Sequence, residues 1–159
     1  MSNLELKNKL IDSRMFEKES DYQIIEEVYK IFNSELVDNE FIKIMFYGLD
    51  DNTEDLEVTT NLIDIIFSIS DKDNISKRLA SIILSNISVC IPHASYFLKK
   101  IIGIAVSQKN IENLKNEAHS CKEKEILINI LDELSNEKDF SSNWIFRKNL
   151  SELVSLLKS

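Results

Sequence analysis

Glycine and proline are almost absent from this chain of 159 residues, which contains two glycines and one proline. All-β folds need many tight turns, and those turns depend on glycine and proline. The phosphate-binding loops G-x-x-x-x-G-K-[ST] and G-x-G-x-x-G cannot be built from Gly48 and Gly103, which lie far apart. The G-x-S-x-G elbow and H-E-x-x-H are missing too. We therefore predict neither a β fold nor a known class of nucleotide-binding or hydrolytic enzyme.

Long apolar runs and a leader sequence are also missing. No apolar stretch approaches the ~18 residues of a transmembrane helix, and the N-terminus has no basic region followed by an apolar one. Two cysteines do not make a disulfide framework. We therefore predict a cytoplasmic protein without a membrane partner.

What the chain has in quantity is hydrophobic residues, 43% of the total, at helical spacing. After Asp21, a predicted N-cap, Ile24, Val28 and Ile31 begin one wide stripe. Later stripes predict helices over 53–69, 75–87 and 144–157. These elements and their short links predict an all-α fold of about nine helices in antiparallel hairpins, forming a single domain over 1–159. A HEAT-like stack of the hairpins is one arrangement that this order allows.

Several residues are expected to begin or end these helices. Asn39 and Thr53 are predicted N-caps, and Gly48 is predicted to end a short helix in the left-handed conformation. Pro92 suits the first turn of a helix. Residues 136–143 are predicted to form a loop.

The net charge of −8 is unevenly distributed. Residues 1–80 carry 18 acidic and 9 basic side chains, whereas residues 81–159 carry 9 and 10. The segment between residues 33 and 73 contains eleven acidic residues, Glu35 among them, and only two basic residues, Lys43 and Lys72. Such a surface repels nucleic acid and anionic membranes and attracts basic proteins, although acidic side chains also serve solubility alone.

This acidic segment is the predicted partner-binding site, with aromatic side chains at Tyr47 and Tyr22 as possible anchors. Acids speed the approach of a basic partner, so reversing Asp50, Asp51, Glu54 and Asp55 to lysine is expected to weaken binding. The alternative is that Tyr47 belongs to the core and that the acidic side chains are only solvated. The predicted site comprises Asp38, Glu40, Tyr47, Asp50, Asp51, Glu54, Asp55 and Glu57.

The chain has a few residues that could form a metal site or a thiol nucleophile, but simpler explanations account for each. Cys90, His93, His119 and Cys121 include every cysteine and histidine of the chain and could in principle hold zinc. Their C-x-x-H and H-x-C spacings are unusual, and buried cysteine is common. A Cys121–His93 pair shows no oxyanion site. In the acidic loop Gly48 precedes the acids, which is the reverse of a calcium loop. We therefore predict no metal, no cofactor and no enzymatic activity.

One stretch, residues 41–110, resembles the Immunity protein 30 family of bacterial polymorphic toxin systems. The order of features carries the resemblance: Phe46-Tyr47-Gly48-Leu49, then Asp50-Asp51, then an apolar helix opening at Glu57-Val58 and ending near Phe67. After these, residues 84–90 lead into Ile91-Pro92-His93-Ala94, and Phe97-Leu98 follow. The family usually has a tryptophan after the proline, where this chain has Tyr96 or Phe97.

The resemblance implies a small helical protein that binds and blocks a cognate toxin, with a nuclease as one possibility. This leads to our first hypothesis, an immunity protein whose acidic surface meets a basic toxin domain. The second is a helical adaptor that binds a partner helix in an apolar groove. A third, ranked behind both, is a hydrolase that uses carboxylates.

Overall fold

The computed structural model describes residues 1–34 and 37–159, so Glu35 lies outside the described residues. The protein is 71% helical, with eleven α-helices and no strands among the residues described, which confirms the all-α prediction. A HEAT-like stack stays a prediction. The helices are α1 (Asn3–Ser13), α2 (Gln23–Asn33), α3 (Asn39–Met45), α4 (Leu56–Phe67), α5 (Lys77–Ser85), α6 (Ile87–Cys90), α7 (Ser95–Val106), α8 (Glu112–His119), α9 (Lys124–Leu134), α10 (Lys138–Ser141) and α11 (Trp144–Lys158).

Two compact units divide the chain. Unit 1 comprises Met1–Ser68 and Val89–Phe97, and unit 2 comprises Ile69–Ser88 and Leu98–Ser159. The charges follow this division closely. Unit 1 carries 16 acidic and 6 basic side chains, a net charge of −10, whereas unit 2 carries 11 and 13, a net charge of +2. Acidity is therefore a property of unit 1 alone.

Unit 1 is built around α1, a helix that the hydrophobic stripes given for the sequence do not include. Its start has a reciprocal cap: the Ser2 hydroxyl accepts from the Glu5 N–H, and the Glu5 carboxylate accepts from the Ser2 N–H. This S-x-x-E pattern is readable in sequence. Leu6 and Leu10 are buried, and α1 packs against α2, α3 and the Phe46–Gly48 turn.

Three predicted N-caps of unit 1 are wrong. α3 is capped by Asp38, whose carboxylate accepts from the Phe41 N–H at 2.8 Å, and not by Asn39. α4 is capped by Asp55 and not by Thr53. Asp21 lies in a 3-10 turn before α2, where its carboxylate accepts the N–H groups of residues 17 and 18. Aspartate is thus the N-cap of both α3 and α4, where it satisfies a free N–H group, whereas the N-cap of α2 is Tyr22, whose side chain makes no capping bond.

The left-handed conformation predicted for Gly48 is wrong, because neither glycine has a positive φ. Gly48 ends a 3-10 turn, Phe46–Gly48, and is buried. A Cβ atom at this position would lie 2.9 Å from Leu62 Cδ1 and 3.0 Å from Leu10 Cδ2. The glycine is needed for close packing and not for backbone conformation.

Unit 2 packs α5 against α8, and α11 against α8, α9 and α10. The predicted loop over 136–143 contains the short helix α10, so that prediction is wrong. The Phe140 ring lies against Gly103 and 5.5 Å from the Phe146 ring. This contact stabilises α10 where the local sequence has no helical stripe.

Among the residues that the structure describes, no helix is both long enough and apolar enough to cross a membrane.

Candidate partner-binding surface

Residues 50–57, which we call the acidic loop, are fixed to the C-terminal end of α1. Asp50 is only 6% exposed, and its carboxylate lies 3.1 Å from Arg14 Nε. Its other oxygen accepts from the Asn52 N–H. The Glu54 N–H donates to the Met15 carbonyl at 2.8 Å. A buried carboxylate needs such a partner, so Asp50 holds the loop in place.

A second fixation point is His93, on the turn that precedes α7. The Asp51 N–H donates to the His93 carbonyl at 2.8 Å. The His93 Nε2 lies 3.1 Å from the Arg14 guanidinium, which can only donate, so the imidazole is neutral and accepts. Burial, and then the charge of Arg14, lower the pKa of His93. A neutral imidazole is therefore part of the folded arrangement.

Asp51 caps α7 from more than 40 residues away. Its carboxylate accepts from the Ser95 hydroxyl at 3.3 Å and from the N–H groups of Tyr96 and Phe97 at 3.0 and 3.3 Å. Pro92 was predicted to lie in the first turn of this helix, which is wrong, since α7 begins at Ser95 and Pro92 lies in the turn before it. The long-range cap explains why α7 needs no local N-cap.

Asp55 joins the acidic loop to Tyr22. One carboxylate oxygen caps α4 through the Val58 N–H, and the other accepts from the Tyr22 hydroxyl at 2.9 Å. This hydrogen bond raises the pKa of Tyr22. Beneath it lies Phe16, which is buried, has a left-handed backbone (φ 52°) and packs against the tyrosine with ring centroids 5.3 Å apart. A left-handed phenylalanine is uncommon, and it places an apolar support under Tyr22.

Five exposed side chains of the acidic loop and of the residues hydrogen-bonded to it form a set that we call the loop surface. Leu56 is 60% exposed, Tyr96 is 55% exposed and Tyr22 is 38% exposed. Glu54 and Glu57 are exposed, and neither forms an ion pair with a basic residue in the described ranges. Two carboxylates thus lie among three apolar side chains on a loop whose backbone is held at several points.

The other predicted site residues have different surroundings. Asp38 and Glu40 are exposed at the start of α3, where Asp38 is the N-cap and Glu40 pairs with Lys43 at 3.1 Å. Tyr47 is half-buried, with Lys7 Nζ 4.3 Å from its ring centroid. Asp50, Asp51 and Asp55 make the structural contacts given above. Of the eight predicted residues, Glu54 and Glu57 are therefore the acids most available to a partner.

Three members of the loop surface were not among the eight predicted site residues: Tyr22, which was predicted only as an anchor, and Leu56 and Tyr96. From the sequence, Leu56 is an ordinary apolar residue of a helix, but in the structure it is the first residue of α4 and is exposed to solvent. Tyr96 lies next to Phe97, and only the fold decides that Phe97 is buried and Tyr96 is not. Tyr96 lies beside the acidic loop because its N–H donates to Asp51, and Tyr22 lies there because its hydroxyl donates to Asp55. No local pattern reveals either contact.

The cysteines and histidines do not define a metal centre. Within residues 1–34 and 37–159, no group of three or more histidine, cysteine, aspartate or glutamate side chains is placed to hold a metal ion. Burial, together with the charge of Asp51, raises the pKa of Cys90 to about 12, and burial raises the pKa of Cys121. Both thiols are thus held in their less nucleophilic form.

Comparison with known proteins found no family model, no curated protein and no solved structure that matches this chain.

Proposed function

We propose that this protein is an immunity protein of the cytoplasm, which binds a cognate bacterial toxin through the loop surface and thereby neutralises it. The observation that carries the proposal is the composition of that surface: two exposed carboxylates among three exposed apolar side chains. Aromatic side chains at the centre of an interface supply much of its binding energy, and surrounding charges select the partner.

The charge of unit 1 supports a basic partner. A net charge of −10 within one unit attracts positively charged proteins over about a Debye length and raises their association rate. Toxin domains that cut nucleic acid carry basic surfaces to hold phosphates. An acidic inhibitor can occupy such a surface by presenting carboxylates where phosphates would lie.

The test uses the double variant Glu54→Lys with Glu57→Lys, because the loop's other acids also hold the fold. The protein is co-expressed in a bacterium with the toxin encoded by the adjacent gene, and growth is measured. We expect the wild type to protect and the double variant to fail. Surface plasmon resonance should show a fall in affinity of tenfold or more, mostly in the association rate.

A matched control comes from unit 2, where Glu125→Lys with Asp132→Lys makes the same change in net charge at two exposed positions. This variant should protect as the wild type does. Equal protection by the Glu54/Glu57 variant would overturn the placement of the interface, and failure of the wild type against every neighbouring toxin would overturn the proposed function.

Salt distinguishes this proposal from the adaptor hypothesis. Association through exposed charges slows as ionic strength rises from 0.05 to 0.5 M, because the Debye length shrinks about threefold. A partner helix held in an apolar groove would bind equally well across this range. No affinity change with salt would therefore favour the adaptor.

A further inference from the structure

Trp144, the only tryptophan of the chain, is 65% exposed at the first position of α11 in unit 2. Tryptophan is usually well buried, and an exposed indole is a common binding determinant. Here it forms one wall of a pocket of about 200 Å³ whose other walls are Lys109, Ile145, Lys148 and Asn149. The pocket lies entirely within unit 2 and has no part in the proposed toxin contact.

Asn149 contributes a side-chain amide to the lining of this pocket. The residue is only 4% exposed. Its amide NH₂ donates to the carbonyls of Val106 and Gln108, at 2.9 and 2.6 Å, which uses both hydrogens. The hydrogen bonds of the described residues leave its Oδ1 without a donor. Asn149 Oδ1 is not among the fully buried atoms that lack a partner in the described residues, so it is accessible and can accept from an N–H group that enters the pocket.

The two lysines give the pocket positive charge. Lys109 has one acidic neighbour, Asp73, at 3.5 Å, and both side chains are more than half exposed, so this ion pair is weak and replaceable. Lys148 is exposed. The N-terminus of α11 adds little, because the Asn143 side chain already accepts the Ile145 and Phe146 N–H groups. A bound anion would therefore be held by the lysine ammonium groups.

We infer that this pocket binds an acidic peptide segment in which a carboxylate stands beside an aromatic ring. The ring would stack against Trp144 and the carboxylate would pair with Lys109 and Lys148. A backbone N–H would donate to the Asn149 oxygen. The pocket is too small for a drug-sized ligand but accommodates one side chain. A nucleic acid is disfavoured, because it presents a row of phosphates, whereas the pocket accommodates one side chain and has two lysines.

The single tryptophan makes a direct test possible, since its indole N–H gives one resonance in a ¹H–¹⁵N spectrum. The probe is the capped dipeptide N-acetyl-phenylalanyl-glutamate amide, and its neutral control carries glutamine in place of glutamate. We expect the acidic probe to shift the indole resonance saturably and the neutral probe to bind about tenfold more weakly. Two exposed ion pairs of about 0.7 kcal/mol each account for such a factor.

Variants separate the lysine contacts from the general effect of charge. Lys109→Gln with Lys148→Gln should weaken the acidic probe about tenfold, whereas Lys122→Gln with Lys158→Gln, an equal charge change outside the pocket, should not. All four side chains lie on the surface or at the pocket wall, and circular dichroism checks that the variants fold.

Two further probes decide the source of the anion. Tighter binding by N-acetyl-phenylalanine would keep the carboxylate chemistry and assign it to a chain terminus. Tighter binding by adenosine monophosphate would overturn the peptide in favour of a nucleotide. Equal binding of the neutral and acidic dipeptides, or no saturable shift with any probe, would overturn the site.

Discussion

The carboxylates of the acidic loop fall into two groups, those that stabilise the fold and those that are free to contact a partner. Asp50 pairs with Arg14, and Asp51 and Asp55 cap helices, whereas Glu54 and Glu57 make no such contact. Replacing a capping aspartate costs about 1 kcal/mol or more, and removing one member of a buried ion pair costs several kcal/mol. Reversing all the acids at once would therefore unfold the loop as well as change its charge. A binding experiment is interpretable only at Glu54 and Glu57.

The neutral imidazole of His93 predicts a loss of stability in mild acid. Its pKa is lowered in the folded protein by burial and by Arg14, while an unfolded histidine has a pKa near 6.5. The unfolded state therefore binds the proton more readily. The stabilisation is complete above about pH 6.5 and decreases as the pH falls from there through the lower, folded pKa. Urea midpoints at pH 7.5 and 5.5 should show the loss.

The second histidine provides the control for this prediction. The glutamine side chain of the His93→Gln variant does not titrate, and its amide oxygen can still accept from Arg14, so most of the loss between pH 7.5 and 5.5 should disappear. His119 is exposed in α8, and His119→Gln should leave the loss unchanged. An undiminished loss in His93→Gln would show that other groups cause it.

At the scale of elements, some helices follow from a local sequence pattern, whereas others depend on tertiary contacts. The stripes that predict α4, α5 and α11 repeat over 10 to 15 residues, and the structure has helices there. α10 has no stripe, and it forms because Phe140 packs on Gly103 and Phe146. Likewise α7 begins where Asp51 reaches it. Contacts between residues some 40 positions apart are decided by the fold, so neither start was predictable.

The contact between α7 and α10 predicts that Gly103→Ala destabilises the protein. An added Cβ would lie 2.6 Å from Phe140 Cζ and 2.8 Å from two further ring atoms. In an ordinary helix this substitution stabilises by up to about 1 kcal/mol, but here we expect a loss of about 1–3 kcal/mol from overpacking. Thermal unfolding should show a decrease in Tm of several degrees.

A double-variant cycle identifies the cause. In the Phe140→Ala background the ring is gone, so Gly103→Ala should cost little or even stabilise. If the alanine destabilises equally with and without the ring, crowding against Phe140 is not the reason.

At the scale of the whole molecule, charge was the most informative feature of the sequence. The excess of acids in the first half was visible by counting, and the fold sharpens it to a net charge of −10 in unit 1 against +2 in unit 2. Counting charges could not distinguish the acidic residues that stabilise the fold from those that are exposed to solvent. That distinction depends on where Arg14, His93 and the start of α7 lie in space.

This asymmetry predicts that unit 1 keeps its acids at a cost in stability. Glu57 and Glu125 are both exposed and both occupy the second position of a helix, α4 and α9. Reversal to lysine therefore removes the same favourable contact with the helix dipole from each.

Glu57→Lys also relieves repulsion within an acidic unit, whereas Glu125→Lys adds a cation beside Lys122 and Lys124 in a unit that is already positive. At low salt the Glu57 variant should have a Tm about 2 °C higher than the Glu125 variant, and 0.5 M salt should reduce this difference by screening. Equal Tm values at low salt would mean that unit 1 bears no electrostatic strain, and its acids would then need no explanation beyond solubility.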